Sequence, residues 1–315
     1  MSLKREYVDP KVDIAFRKIF GDEKRKHILI SLLNAVMNKG IVEVEIVNPY
    51  QIPKLPELKY TILDVKAKDV DGKEYIVEMQ SNPYAWFDKR ALDYISRAYA
   101  EQLSPGEDYK QHQPVYFIGV LDFNHFKSEH YLSKHYLLNL ETYEQEIVDF
   151  ELYFLELKKF NKKVEDLEDA LDKWIFFLKE LEEMNALPEE LAEVPEISEA
   201  AHTAKQSTWT KEEMDAYYKG LREEAKELNL IQELEAKSEE LEAKSEELQA
   251  KREELEAKSE ELEAKNEELE IQKEELQNRN TALKKAAVHL SKSGMTDEQI
   301  AKVLSLDPKI VRELL

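Results

Sequence analysis

The stretch whose reading decides the fold runs from Thr61 to Gln80, TILDVKAKDVDGKEYIVEMQ. It alternates as a strand does, meets a turn at Val70-Asp71-Gly72, and alternates again. A three-residue hairpin loop needs a left-handed residue at its end, a backbone that Gly72 adopts without steric cost. That loop pairs Asp69 with Lys73 and, counting back along both strands, sets Asp64 opposite Glu78. A two-residue Asp71-Gly72 loop would shift the pairing by one and send the two carboxylates to opposite faces. In the first register Leu63, Val65, Ala67, Tyr75, Val77 and Met79 share a core-facing side, and Asp64, Lys66, Glu78 and Gln80 share the other.

Two carboxylates set across a strand pair repel each other. A divalent cation removes that conflict, and an all-oxygen site suits Mg²⁺ or Mn²⁺. A cation held by Asp64 and Glu78 would polarise a phosphodiester and lower the pKa of a bound water. Gln80, two residues beyond Glu78 on the same face, is placed to orient that water or to contact the phosphate. Glutamine carries no positive charge, so Lys66 and Lys18 are the candidate cations. The competing reading of the same residues is a solvent-facing hairpin with scattered charges, and pattern alone leaves both open.

Outward from the hairpin the 315-residue chain divides into four parts. Residues 1–184 mix helical and alternating patterns and end on the apolar cluster Trp174-Ile175-Phe176-Phe177-Leu178. Residues 185–220, with Pro188 and Pro195 among small polar residues, read as a linker. Residues 221–290 lack both Gly and Pro, and Leu recurs every seventh residue from Leu234 to Leu283 through near-copies of EELEAKS. Glu-to-Lys pairs at i,i+4, such as Glu240–Lys244 and Glu254–Lys258, add to its helicity. With each Leu at d, the a positions are Ser238, Ser245, Arg252, Ser259, Asn266, Lys273 and Asn280. That half-polar seam fits a weak coiled coil, a homodimer through 221–290, with a solitary spacer helix as the alternative. Residues 291–315 carry two helix starts, Thr296 with Gln299 as a capping box and Asp307-Pro308 as an N-cap with proline at the first helical position. The turn between them gives a small helix-turn-helix-like unit with Ile300, Val303, Leu304, Ile310 and Val311 as its apolar contacts.

The net charge of −22 divides unevenly: −1 over residues 1–130, −12 over 131–200, −9 over 201–290, and balance over the last 25. The acidity is therefore expected outside the segment that carries the chemistry. No cysteine is present, which excludes thiol catalysis, disulfides and Cys-ligated zinc, and suits a cytoplasmic location. No apolar signal segment or membrane-spanning stretch is legible. His27, His112, His125, His130 and His135 show no metal-ligand spacing.

The chain also resembles the PD-(D/E)XK nuclease family transposases and recombination-promoting nucleases, the Rpn group. The likeness begins at VDIAFRKIFGDEKRKHILISLLNAVM, with Asp13, Phe16, Lys18, Phe20 and Gly21. It continues through ILDVKAKDVDGKEYIVEMQ, WFDKRALDYISRAYAEQL and PVYFIGVLDF to LYFLELKKF and the Trp174 cluster, about residues 8–180. The resemblance implies an α/β fold with a restriction-endonuclease-like core, a mixed sheet flanked by helices. Its strands would lie near Ile41–Val47, in the hairpin and at Pro114–Asp122, with Arg90–Leu103 as the crossover helix. It places Asp64 at the motif's acidic position and Glu78-Met79-Gln80 at its (D/E)-x-K position. Gln80 stands where the motif has Lys, and Leu63 where it has Pro, which leaves the source of positive charge open.

The resemblance further implies a Mg²⁺-dependent (Mn²⁺ also suitable) endonuclease acting on DNA in a mobile-element, recombination or defence setting. Asp13 is either a supporting acid or the N-cap of the first helix. Arg90, Tyr94 and Arg97 fall on one helix face and are candidate DNA contacts. The alternative function is a catalytically inactive nuclease fold serving as an interaction scaffold on a coiled-coil stalk. A third reading takes the acidic helices as an intramolecular mask over the DNA cleft.

Overall fold

A computed structural model of the protein describes residues 5–47, 50–51, 61–83 and 86–315. The chain divides into two compact units, Met1–Leu234 and Glu235–Leu315.

The first unit is built on a six-stranded mixed sheet of β1 (Val44–Val47), β4 (Val65–Asp69), β5 (Glu74–Gln80), β6 (Val115–Leu121), β7 (Leu132–Tyr136) and β8 (Phe150–Glu156). Their order is β1-β4-β5-β6-β8-β7. The central pairs β5·β6 and β6·β8 are parallel, and antiparallel strands flank them on both sides. A separate antiparallel pair joins β2 (Tyr50–Gln51) to β3 (Thr61–Ile62). Parallel strands are covered on both faces and so read as continuous apolar runs. VYFIGVL in β6 is buried at every position for that reason.

One face of the sheet is covered by α1 (Asp13–Phe20), α2 (Lys26–Met37), α4 (Ala170–Glu180) and α6 (Pro195–Ala204), the other by α3 (Phe87–Glu101). Phe16, Phe20 and Trp174 anchor the first layer, with Trp174 5.6 Å from the Phe20 ring and its indole N–H donating to Ser31 Oγ. Phe87, Phe117 and Phe154 anchor the second. Gly119 on β6 is required there. A Cβ would stand 2.9 Å from the Phe87 ring and 3.1 Å from the Phe117 and Phe154 rings.

The hairpin has the register expected of a Val70-Asp71-Gly72 loop. Val65 pairs with Val77 and Lys68 with Glu74. The Asp69 N–H donates to the Lys73 carbonyl at 3.0 Å, and Gly72 has φ of +87°. The alternation fails at Leu63 and Asp64, which lie outside β4. Leu63 packs in the α3 layer with Ile76 rather than with Val65 and Ala67.

Residues 185–220, read above as a linker, are part of the packed unit. Pro188 precedes α5 (Glu189–Ala192), and Pro195 is the first residue of α6. Proline at a helix start needs no N–H bond there, so both prolines begin helices rather than interrupt one. Leu191, Ile197, Ala200, Ala201, Ala204, Trp209 and Tyr217 all enter the main core.

α7 runs from Lys211 to Lys292, longer at its amino end than the heptad pattern alone predicts. Its residues 235–292, with α8 (Asp297–Leu304) and α9 (Pro308–Leu314), form the second unit. The expected caps are present: the Thr296 N–H donates to Gln299 Oε1 at 3.0 Å, and the Lys309 N–H to Asp307 Oδ1 at 2.8 Å. Ala287, Ile300, Ala301 and Val311 form its small core, with Leu304, Leu306 and Leu314 against it. Val303 and Ile310, expected in that core, are exposed, because Leu306 and Leu314 fill the contact instead.

Candidate active site

The carboxyl end of β5 opens on a cleft of about 870 Å³ lined by Asp13, Arg17, Asp64, Glu78, Gln80 and Arg90, among others. Its far wall is the start of α7, from Ala216 to Leu230. Ligands of open α/β sheets bind outside the carboxyl ends of strands, where loops and helix ends converge.

Asp64 reaches the cleft because the strand breaks before β4. Freed from the ladder, its N–H donates to Glu78 Oε1 at 3.0 Å, and its Oδ2 accepts the Met79 N–H at 2.8 Å. Its Oδ1 accepts from Arg17 Nη2 at 2.9 Å and Nε at 3.2 Å. Burial, followed by the charge of Asp13, raises the Asp64 pKa to about 6, even though the Met79 amide and Arg17 act against the shift. Glu78 is raised well above its ordinary value, first by burial and then by Asp64.

Glu78 differs from other buried carboxylates of this unit. Glu156, Asp172, Glu151 and Glu74 each have a lysine at 2.7–2.9 Å (Lys159, Lys162, Lys39 and Lys66). The nearest cation paired with Glu78 among the described residues, Arg90, is 3.7 Å away. Buried charge is costly unless paired, so Glu78 is the carboxylate whose charge the fold leaves least compensated.

Arg90, from the first turns of α3, bridges the end of β5. Its Nη1 donates to Gln80 Oε1 at 3.2 Å, and its Nε donates to the Tyr94 hydroxyl. A positive charge thus stands beside position 80, carried by the neighbouring helix. Lys18 and Lys66, the two cations expected from sequence, are engaged elsewhere. Lys18 pairs with Glu213 at 2.5 Å and lies over the Trp209 ring, and Lys66 pairs with Glu74 at 2.9 Å. Arg17, one residue before Lys18, faces the cleft instead. The available signal was its i,i+4 spacing from Asp13, with which it pairs at 3.7 Å.

Asp13 lines the cleft with its carboxylate well exposed. It does not cap α1: Val12 is the N-cap residue and Asp13 is the first helical one. Tyr94 is buried in the α3 layer, and burial and Glu78 push its hydroxyl to about 12. Arg97 pairs with Asp93 at 2.9 Å and is not part of the cleft lining. Of the three residues expected on that helix face, Arg90 alone borders the cleft.

The acidity is not confined outside the site. Glu223, Glu224 and Glu227 line the α7 wall. Asn82 fastens that wall, donating to the Glu224 carbonyl at 2.9 Å and to Glu227 Oε2 at 3.2 Å. Burial, then Asp13 and Asp9, lifts the Glu224 carboxyl to about 8. Gly220 lets α7 pass close to α1, since a Cβ there would lie 3.2 Å from Val12 Cγ1.

No group of three or more Asp, Glu, His or Cys side chains among the described residues is arranged to hold a metal. The donor set still fits Mg²⁺, which keeps several waters and is commonly held through one or two carboxylates. Here those would be Asp64 and Glu78, whose repulsion a cation would relieve. His125 and His135 lie in aromatic contacts with Phe126, away from the cleft.

A mixed sheet with flanking helices and a paired-carboxylate cleft at the end of a central strand fits an α/β nuclease-like core. The model of the PD-(D/E)XK nuclease family transposases matches residues 10–234, and the chain belongs to that family. The match takes in the α7 wall as well as the sheet. No curated protein and no solved structure matches the chain. No helix among the described residues is long and apolar enough to cross a membrane.

Proposed function

We propose that the protein is a divalent-metal-dependent DNA endonuclease, acting in a mobile-element, recombination or defence setting. The observation that carries this reading is the pair Asp64–Glu78, buried, joined by the Asp64 N–H to Glu78 and the Met79 N–H to Asp64, and short of positive charge on the Glu78 side. A Mg²⁺ or Mn²⁺ ion bound there would supply Lewis-acid stabilisation of the phosphoryl oxygens and an activated water.

The chain's own residues have defined parts in this proposal. Asp64 and Glu78 provide the oxygen ligands. Arg17 and Arg90, at opposite sides of the pair, meet the non-bridging oxygens of the phosphate and hold the two carboxylates in place. Gln80, oriented by Arg90, positions the attacking water with its side-chain amide. Water adds to phosphorus and releases a proton to solvent, one P–O ester bond breaks, and the leaving oxygen takes up a proton from solvent. Family membership and the acidic pair together support hydrolysis over a purely structural role.

A restrained resting state is a second part of the proposal, supported by the α7 wall. Glu223 and Glu227 set negative charge in that wall beside Lys219 and Lys226, and they oppose a phosphodiester that enters the cleft past them. Trp209 and Tyr217 belong to the core, so removing the chain from there onward would disturb the fold itself. Substitution of wall residues is the suitable approach. The nuclease reading itself is tested by cleavage of duplex DNA with Mg²⁺ and Mn²⁺, wild type against Asp64→Ala and Glu78→Ala.

A further inference from the structure

Beyond Leu234, α7 presents leucines at 241, 248, 255, 262, 269 and 276, each 53–68% exposed. Among the described residues these leucines stay exposed, and the side chains bordering the stripe say what should cover it. With Leu at d, the g positions are Lys237, Lys244, Lys251, Lys258, Lys265, Gln272 and Arg279, with no acid among them. The e positions are Glu235, Glu242, Gln249, Glu256, Glu263, Glu270 and Gln277, with no cation among them. One edge of the leucine stripe is thus positive and the other negative.

We propose that residues 235–283 form a parallel, in-register two-stranded coiled coil with a second copy of this chain. In a parallel pair the g residue of one helix meets the e residue of the next heptad of its partner. That arrangement sets Lys237 against Glu242, Lys251 against Glu256, Lys258 against Glu263 and Lys265 against Glu270, once on each side of the pair. In an antiparallel pair g meets g and e meets e, which would set lysines against lysines and glutamates against glutamates. The charge pattern therefore selects both the partner, a helix of this same composition, and its direction.

The a positions select the register. EELEAKS repeats are nearly interchangeable, so a slip of one heptad would preserve most g–e contacts. Asn266 and Asn280 break that degeneracy, because asparagines at a pair best with each other when in register. Arg252 and Lys273 at the same seam weaken association without changing its direction. Within one helix, Lys244, Lys251, Lys258 and Lys265 pair with Glu240, Glu247, Glu254 and Glu261 at i,i+4, each at 2.5 Å. Both Met1–Leu234 units would be tethered at the same end of such a pair. The inference does not rest on the nuclease reading, and its failure would leave that reading untouched.

The absence of native cysteine makes the test direct. In the full-length chain, Ser245→Cys and Ser259→Cys are made separately, with the outward-facing Ala243→Cys as control. On mild oxidation both seam variants should form disulfide-linked dimers, and the control should form at least tenfold less. Sedimentation should give twice 37.0 kDa for the reduced protein. The triple change Lys251→Glu, Lys258→Glu and Lys265→Glu should weaken self-association more than tenfold. Mixing it with the Glu256→Lys, Glu263→Lys, Glu270→Lys chain should restore a dimer, which separates lost charge matching from lost folding. A 37.0 kDa species at tens of micromolar would overturn the proposal. So would cross-linking at only one of the two seam positions, the signature of an antiparallel pair, or a dimer in which neither cross-links.

Discussion

Arg90, on α3, donates to the side-chain oxygen of Gln80, on β5, at 3.2 Å. The contact sets a guanidinium beside Gln80, and in the proposed centre that charge takes the part of the motif's lysine. Arg90→Ala should lower the rate of DNA cleavage by about 10²-fold or more, as loss of a charged transition-state contact does. The double change Arg90→Ala with Gln80→Lys should recover part of that loss, because it returns the charge to the strand. Single-turnover rates on one duplex substrate check this. Equal rates for the single and double variants would remove charge relocation as the explanation.

Glu78 is buried and weakly paired, so its ionisation opposes folding. Its pKa is raised in the folded protein above the unfolded value, so the folded state binds the proton more tightly. The stability that this proton contributes is present at low pH and is lost as pH rises through the folded value. Glu78→Gln keeps an acceptor for the Asp64 N–H but carries no charge. In EDTA at pH 8 it should therefore raise Tm by about 2–4 °C, the equivalent of about 1 kcal/mol for a unit of this size, while abolishing cleavage. At pH 4.5 the gain should shrink. A variant melting below wild type at pH 8 would contradict the assignment of Glu78 as an under-compensated charge.

The α7 wall predicts a gain of function. Glu223→Gln with Glu227→Gln removes two negative charges that face the cleft without touching Asp64 or Glu78. The pair of changes should raise kcat/KM on DNA severalfold at low salt, with the difference narrowing as salt screens the wall. Cleavage assays at two ionic strengths measure it. Unchanged kinetics at both would mean that DNA does not pass this wall.

Gly119 packs under Phe87, at the start of the helix that delivers Arg90. Gly119→Ala would push on three aromatic rings at once and should cost about 1–3 kcal/mol by overpacking. Thermal melts report the cost, and cleavage rates should fall with it as α3 shifts. A variant with wild-type stability would show that the rings move freely enough to accept the methyl group.

The hairpin was legible because local chemistry determines it: Gly72 fixes the loop, the loop fixes the register, and alternation fixes the faces. The break at Leu63-Asp64 was not, because the strand pattern runs through those residues and only packing against α3 draws Leu63 away. Lys18 and Arg17 are neighbours on α1 with similar chemistry, and helix phase relative to the sheet decides which faces the cleft. Pro188 and Pro195 look like linker residues until their position at helix starts is known. The α7 wall lies about 150 residues from Glu78 along the chain, and no local pattern reports a contact of that range. The same Glu-rich sequence serves as a cleft wall near Glu224 and as an exposed stalk beyond Leu234, and burial distinguishes them where composition does not.

The central claim is that Asp64 and Glu78 form a metal-dependent phosphodiesterase centre. The most direct measurement incubates full-length protein with supercoiled plasmid in Mg²⁺, in Mn²⁺ and in EDTA, beside Asp64→Ala and Glu78→Ala chains shown to be folded by their melts. Nicked or linear product should appear with wild type and metal alone, and both variants should fall by about 10³-fold or more, as expected when an essential charge-stabilising group is lost. Intact plasmid under all metals, or cleavage by the variants at the wild-type rate, would contradict it.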